Sequence, residues 1–108
     1  MTEFQSRVLK LVSTIPSGKV TTYKELARAL GRPRAYRAAA NVLAKNPQLV
    51  KIPCHRVVRS DDGIGGYKLG ILQKVKLLAA EGVEVRNKKV DLARYMFHLS
   101  LLGDSYPE

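Results

Sequence analysis

The sequence of 108 residues has a single cysteine, Cys54, two histidines and no tryptophan, and aromatic residues make up only 6% of it. One cysteine cannot form a disulfide within the chain, and one thiol with two distant histidines does not make a zinc site. No apolar run approaches the roughly 20 residues that cross a bilayer, and the first fifteen residues lack the layout of a signal peptide. We therefore expect an intracellular, cytoplasmic protein with no metal or other cofactor and no membrane contact.

Acidic residues are scarce in the first part of the chain. Residues 1–60 contain twelve lysines and arginines but only two acidic residues, whereas residues 61–108 contain seven of each. The net charge of +10 therefore belongs to the first sixty residues. This asymmetry favours binding to a polyanion, most simply nucleic acid, because neutralised phosphates release counterions. A basic surface that is merely solvated is the alternative.

The first half of the chain has the pattern of three short helices. Apolar residues recur at helical spacing over residues 2–15. Thr22 and Glu25 have the spacing of a capping box, and the helix that they begin should end near Gly31. Pro33 suits the first turn of a further, alanine-rich helix. Two short helices with a tight turn and flanking arginines indicate a helix-turn-helix, with an ordinary helical hairpin as the alternative.

The second half of the chain alternates between β-prone and helical segments. Residues 50–58 are apolar enough to form a buried extended segment, and a turn signal follows over residues 60–63. Helical spacing resumes over residues 71–80, and an amphipathic stretch over residues 91–102 predicts a last helix. These patterns predict a mostly helical α/β domain.

Cys54 stands between Pro53 and His55, in the segment IPCHRVVRSDDGIGGY. An isolated free cysteine is most often a small buried hydrophobe. Positive charge from Arg56 and Arg59 instead favours a reactive thiolate. If residues 54 and 55 are extended, their side chains point to opposite faces, so that proton transfer from the thiol to the imidazole needs a water or a bend. The residues alone leave both interpretations open.

Several short motifs occur in order between about Phe4 and Val85. They are Thr22-Tyr23, Arg37, Asn46-Pro47, Pro53-Cys54-His55-Arg56-Val57, Gly66-Tyr67 and Glu81-Gly82. Together they resemble the catalytic domain of the O6-alkylguanine-DNA alkyltransferases, for which the pentapeptide around the cysteine is highly specific. The N-terminal domain that many members carry is not part of the match. The resemblance implies a winged-helix-like single domain with a helix-turn-helix and a short active-site strand region.

For DNA binding, the resemblance implies that the helix-turn-helix enters the minor groove and that the damaged guanine is flipped out of the duplex. Arg37 matches the arginine that fills the vacated place in the base stack, where a planar cation can pair and stack. Tyr23 matches the tyrosine that crowds the flanking phosphate and hydrogen-bonds the flipped base. Arg34 is expected to contact the DNA as well.

For the chemistry, the resemblance implies that Cys54 attacks the alkyl carbon on guanine O6 and keeps the alkyl group irreversibly. His55 would activate the thiol through a water, and Glu81 would orient His55. Supporting roles are implied for further residues. These are a brace from Asn46, a structural arginine in Arg56, backbone carbonyls of Cys54 and Val57 that accept the guanine amino group, and pocket contacts from Leu43, Tyr67 and Lys68.

Lys68 departs from the family pattern, because many members have a serine at this position that helps to hold the guanine O6. The backbone amide of residue 68 survives the exchange and remains a donor. The departure bears on the rate of transfer and on the tolerance for bulky alkyl groups.

The sequence thus predicts a monomeric DNA repair methyltransferase that acts once on O6-alkylguanine in double-stranded DNA. Residues 1–85 are expected to form the catalytic and DNA-binding domain, and residues 86–108 a helical extension packed on it. Two alternatives differ in class. Alkyltransferase-like proteins bind the lesion without repairing it and recruit excision repair, but their cysteine is typically replaced by Trp or Ala. A transcription factor would use the same helices as a dimer in the major groove.

Overall fold

The computed structural model describes residues 2–46, 48 and 50–99. Its elements confirm the predicted α/β class with mostly helical content. In chain order they are α1 (Glu3–Val12), β1 (Thr21–Thr22), α2 (Tyr23–Ala29), α3 (Tyr36–Ala44), a 3₁₀ helix (Cys54–Arg56), β2 (Val57–Val58), α4 (Ile71–Ala80), β3 (Val85–Arg86), β4 (Lys89–Val90) and α5 (Leu92–Tyr95). None of the described helices is long and apolar enough to cross a membrane.

The helices α1, α2 and α3 form a helical layer, which comprises residues 2–46. Thr2 caps α1 by accepting a hydrogen bond from the Gln5 backbone N–H, and Thr22 caps α2 in the same way from Glu25. The chain leaves α2 with Gly31 at a φ of 75°, a conformation that glycine adopts without strain. One hydrophobic cluster joins the three helices to the segment that contains Cys54 and Val57. Its fully buried members include Val8, Leu11, Val12, Leu26, Ala39 and Val57.

The third helix begins later than the sequence predicts. Pro33 lies in a turn, closed by a hydrogen bond from the Ala35 N–H to the Arg32 carbonyl at 2.9 Å, and the helical conformation starts only at Tyr36. No side chain caps this end of α3. The turn therefore takes the place of the first helical turn that we predicted, and it carries Arg32 and Arg34 on the surface.

A short parallel pairing connects the helical layer to the second half of the chain. Thr21 and Thr22 of β1 pair with Val57 and Val58 of β2. This pairing places the start of α2 beside the segment that follows Cys54. Beyond it, residues 57–99 form a strand layer around a second hydrophobic cluster. That cluster contains Val20, Val58, Ile64, Leu78, Val83, Val90 and Tyr95.

The predicted helix over residues 91–102 forms only in its first turn, and the prediction is wrong for residues 96–99. The helix α5 ends at Tyr95, because the backbone of Val20 exchanges hydrogen bonds with Tyr95 and Phe97 at 2.9 and 2.7 Å and draws the chain into an extended conformation. The preceding residues form the hairpin β3–β4, with positive φ at Asn87 and Lys88, rather than a helix. Residues 100–102 lie outside the described residues. The predicted boundary between a catalytic and DNA-binding domain, residues 1–85, and an extension, residues 86–108, stays a prediction.

Candidate active site

A tight turn rather than an extended strand presents Cys54. Pro53 adopts φ −80° and ψ 63°, and the Cys54 N–H donates to the Ile52 carbonyl at 2.8 Å, which closes an inverse γ-turn. The 3₁₀ helix Cys54–Arg56 follows directly. The predicted extended segment over residues 50–58 is therefore wrong except at β2. In a 3₁₀ helix, successive side chains differ by about 120°, so Cys54 and His55 do not point to opposite faces.

The Cys54 side chain is 4% exposed, yet it lines a cavity of about 450 Å³. A cavity of this size falls in the range of small-ligand sites. The helical layer and the loop before α4 enclose it. The lining residues are Tyr23, Ala40, Asn41, Leu43, Ala44, Cys54, Arg59, Gly65, Gly66, Tyr67 and Lys68. Five of the predicted site residues therefore meet around one cavity: Tyr23, Leu43, Cys54, Tyr67 and Lys68.

Asn46 holds the sulfur and the turn before it together. Its side-chain amide donates to Cys54 Sγ at 3.4 Å and to the Ile52 carbonyl at 2.9 Å, and its Oδ1 accepts from the Gln48 N–H at 2.8 Å. The residue is 1% exposed, so these bonds are shielded from water. These bonds link the end of α3 to the turn that presents Cys54, which is where the resemblance implies a brace; that role of Asn46 stays a prediction.

His55, Glu81 and Arg56 form a compact network next to Cys54. The Nε2 atom of His55 lies 3.1 Å from both carboxylate oxygens of Glu81. Arg56 binds the same carboxylate through Nε and Nη2, and its Nη1 donates to the Ile15 carbonyl at 2.7 Å. Burial alone would raise the pKa of Glu81, but the hydrogen bonds from Arg56 and His55 outweigh it and lower this pKa. Glu81 is therefore an anion at neutral pH.

The network also determines the tautomer of His55. A carboxylate only accepts hydrogen bonds, so Nε2 carries the hydrogen when the imidazole is neutral, and Nδ1 is left as an acceptor. Burial lowers the pKa of His55, with Glu81 opposing the shift in part. The ring is fully buried, and its Nδ1 atom has no hydrogen-bond partner among the described residues. The imidazole is thus neutral, oriented and equipped with one free basic nitrogen.

Lys74 of α4 is a member of the site that the sequence analysis missed. Its side chain is fully buried, and its Nζ atom donates to the Val57 carbonyl at 2.7 Å and to the Gly66 carbonyl at 3.0 Å. Nζ also lies 5.9 Å from the centre of the Tyr23 ring. Burial lowers the pKa of Lys74 to about 8, and the charge of a Cys54 thiolate opposes the shift. The available signal was its spacing of four residues from the buried Leu78, which puts a lysine on the inner face of α4.

Two phenols border the cavity. Burial, and then the negative charge of a Cys54 thiolate, raise the pKa of Tyr23 to about 12 and also raise the pKa of Tyr67. Both side chains are therefore neutral hydrogen-bond donors at physiological pH. The Tyr67 ring meets the His55 ring edge-on at 6.4 Å, and its buried hydroxyl has no partner among the described residues.

The predicted DNA-contacting arginines do not line the cavity. Arg34 lies in the turn before α3 and Arg37 in the first turn of that helix, and both are exposed. The Arg37 guanidinium lies 6.0 Å from the centre of the Tyr36 ring. The structure thus separates the predicted residues into a pocket group around Cys54 and a surface group, which consists of Arg34 in the turn before α3 and Arg37 on α3.

Comparisons of the sequence with known proteins find similarity to DNA methyltransferases. The family described as "6-O-methylguanine DNA methyltransferase, DNA binding domain" matches residues 3–83. A methylated-DNA–protein-cysteine methyltransferase of Methanothermobacter thermautotrophicus is 50% identical over 88 residues, which cover 81% of this chain and 48% of that protein. A bifunctional methyltransferase/endonuclease of Picrophilus torridus is 42% identical over 105 residues, or 97% of this chain and 35% of the relative. The chain thus spans half or less of the length of these curated relatives.

Two similar solved structures contain DNA. The complex of Mycobacterium tuberculosis OGT with DNA has a TM-score of 0.74 at 34% identity, covering 95% of this chain and 56% of that one. The Schizosaccharomyces pombe protein Atl1, in complex with damaged DNA containing O6-carboxymethylguanine, has a TM-score of 0.79 at 32% identity. That match covers 90% of this chain and 96% of Atl1.

Proposed function

This chain belongs to the 6-O-methylguanine DNA methyltransferase family, a family of DNA repair proteins, and from that premise we propose that it transfers the alkyl group of O6-alkylguanine in duplex DNA to its own Cys54. The observation that carries the proposal is a nearly buried sulfur that lines a cavity and is followed, in the same 3₁₀ helix, by an oriented, neutral imidazole. A merely structural cysteine needs neither the cavity nor the imidazole.

DNA binding is assigned to the surface group. The guanidinium groups of Arg34 and Arg37 are exposed and can therefore reach phosphates, and neutralised phosphates release counterions. Arg37, at the start of α3, fills the place that the flipped guanine vacates, because a planar cation can both pair and stack there. Flipping costs a few kcal/mol, and less at a poorly paired lesion, which favours damaged sites before any chemistry.

The flipped guanine occupies the cavity against Leu43 and Tyr23. The carbonyls of Cys54 and Val57 accept its amino group. The Val57 carbonyl already accepts from Lys74, but a carbonyl oxygen has two lone pairs, so the second remains for the base. The backbone amide of Lys68 donates to guanine O6. The neutral phenol of Tyr23 donates a further hydrogen bond to the base.

His55 removes the proton that makes Cys54 a nucleophile. Its Nδ1 atom takes the thiol proton through an intervening water, and the Glu81 carboxylate stabilises the resulting imidazolium. The thiolate attacks the alkyl carbon, so that the S–C bond forms while the C–O6 bond breaks and its electron pair stays on the guanine. The departing guanine recovers one proton, which balances the proton lost by the thiol. The buried ammonium of Lys74 offsets the negative charge that develops near the sulfur.

The proposal implies that each molecule acts once. A thioether is not hydrolysed under physiological conditions, and the mechanism provides no group that regenerates the thiol. The protein is therefore a stoichiometric reagent, consumed at one lesion per chain.

A lesion sensor is the second candidate, favoured by the similarity to almost the full length of Atl1. Incubation of the protein with a duplex containing O6-methylguanine, followed by intact mass measurement, separates the two. Transfer should add one methyl group, mapped to Cys54, and an undamaged duplex is the control. The Cys54→Ser variant should gain no mass yet keep its affinity for the lesion. Tight binding of the unaltered protein with no gain in mass would favour the sensor.

A further inference from the structure

The charged residues that line the cavity beside Cys54 are all positive. Two cations, Arg59 and Lys68, belong to its described lining, which contains no aspartate or glutamate. A third cation, Lys74, lies behind the wall and binds the Gly66 carbonyl of the lining. Lys74 already serves the thiolate in the proposed transfer, but binding a neutral purine with a neutral alkyl group does not need the charges of Arg59 and Lys68, because such a ligand is held by apolar contacts and hydrogen bonds.

The two lining cations differ in their partners. Arg59 donates to the Asp61 carboxylate at 2.6 Å, so its charge is largely neutralised locally. Lys68 has no carboxylate within ion-pair distance among residues 2–46, 48 and 50–99. Its Nζ atom lies 3.5 Å from the backbone carbonyl of Asn46, and the side chain of the same Asn46 touches Cys54 Sγ. The Lys68 ammonium thus has no acidic partner among these residues, and it contacts the backbone of the residue whose side chain contacts the sulfur.

An ammonium at this position matters when the transferred group is itself charged. A carboxylate on the carbon under attack repels the incoming thiolate, and its entry into the cavity removes water from it. A cation on the wall of the same cavity opposes both effects. The Lys68 side chain is exposed, and its four-carbon stem lets Nζ turn toward a carboxylate at the cavity mouth.

We propose that Lys68 makes the pocket selective for O6-alkylguanines whose alkyl group carries a carboxylate, with the carboxymethyl adduct as the smallest member. This inference rests on the proposed function, because it assumes that the cavity receives the alkylated base. The transfer step keeps its balance: the S–CH₂ bond forms, the CH₂–O6 bond breaks, and the carboxylate remains on the group that Cys54 retains. Lys68 stabilises charge and takes no proton.

The test compares a charged adduct with a neutral adduct of the same size. Dissociation constants are measured by fluorescence anisotropy for duplexes with O6-carboxymethylguanine and with its amide, O6-carbamoylmethylguanine. The Cys54→Ser background prevents transfer during the measurement. The ratio of the two constants cancels the phosphate contacts that both duplexes share. Lys68→Met should shift this ratio about fivefold against the carboxymethyl duplex, the size expected for a partly exposed charge pair.

Two further variants show whether the effect belongs to this ammonium. Lys68→Arg should keep most of the preference, since it restores the cation. Lys45→Met removes an exposed lysine that does not line the cavity, and it should leave the ratio unchanged. An equal ratio for the Lys68 and Lys68→Met proteins overturns the inference. The gain in mass of unaltered protein with O6-methylguanine is measured separately, so failure of the proposed transfer is distinguishable from failure of this selectivity.

Discussion

The helical layer exposes the arginines around its helix-turn-helix, whereas the strand layer buries a lysine and most of a glutamate. The arginines of α2, of α3 and of the turn between them are all exposed: Arg28, Arg32, Arg34 and Arg37. In the strand layer, Lys74 is fully buried and the Glu81 side chain is only 15% exposed under Arg56 and His55. Solvated cations can exchange counterions for phosphates, whereas desolvated charges hold geometry and shift pKa values. Under the proposed function, one layer recognises DNA and the other prepares the chemistry.

Removal of a buried charge should have the largest effect. Arg56→Met leaves the Glu81 carboxylate and the Ile15 carbonyl without their principal donor, which should lower the free energy of unfolding by about 3 kcal/mol. The matched control in the helical layer is Arg28→Met, which removes an exposed guanidinium that lies 3.7 Å from the Glu25 carboxylate and should cost at most about 1 kcal/mol. Urea unfolding measures both values. Equal losses of unfolding free energy would show that the buried charge network around Glu81 contributes no more to stability than the exposed contact of Arg28.

The buried Lys74 of the strand layer should also make stability depend on pH, which the exposed cations of the helical layer should not do. Its pKa is lowered from 10.5 to about 8 in the folded protein, so the unfolded chain binds more protons between these values. Stability must therefore rise with pH in this window, and the contribution is lost as pH falls through about 8. Between pH 8 and 9.5, the protein should gain about 2 kcal/mol relative to Lys74→Met.

The control for this measurement is Lys76→Met, which removes an exposed lysine from the same helix. Its stability should follow that of the unaltered protein across the pH range. A curve for the unaltered protein that runs parallel to that of Lys74→Met would show that the buried ammonium is not desolvated.

The smallest expected effects lie in the exposed set. Arg34→Ala should lower affinity for damaged and undamaged duplexes alike, and should reduce the slope of log affinity against log salt by about 1. Arg37→Ala should in addition slow transfer, by roughly tenfold, because the flipped state loses the group that fills the stack. Arg86→Ala, an exposed arginine of the strand layer, should leave the salt slope unchanged. If all three variants have the same slope of log affinity against log salt, DNA binding does not belong to the helical layer.

The parts of the fold that the sequence predicted depend on local signals. Thr22 caps its helix because the preference of threonine for that position needs no distant contact. The helix over residues 71–80 was predicted with its observed bounds, since its spacing is helical and Gly82 follows it. The association of Cys54, His55 and Glu81 came from the resemblance to a family, because no local pattern joins residues 26 positions apart.

The failures have non-local causes. The turn at Pro53 depends on the Asn46 side chain, and the end of α5 depends on hydrogen bonds to Val20. Periodicity places Lys74 on the inner face of α4, where a lysine usually extends its ammonium back to solvent. Its ammonium instead binds the backbone carbonyls of Val57 and Gly66, which lie in other elements and cannot be found from the spacing of α4. The residues of greatest chemical interest were thus the hardest to assign from composition and spacing.

Under the proposed function, the hydrogen bonds of Arg56 bear on when the protein becomes reactive during its synthesis. They reach the Ile15 carbonyl, 41 positions earlier, and the Glu81 carboxylate, 25 positions later. On a growing chain, Cys54 is made well before Glu81, and contacts of such long range form late in folding. During that interval the nascent polypeptide carries an ordinary thiol with no oriented base beside it. If Cys54 acts as proposed, translation as far as Glu81 therefore decides when the sulfur becomes a nucleophile.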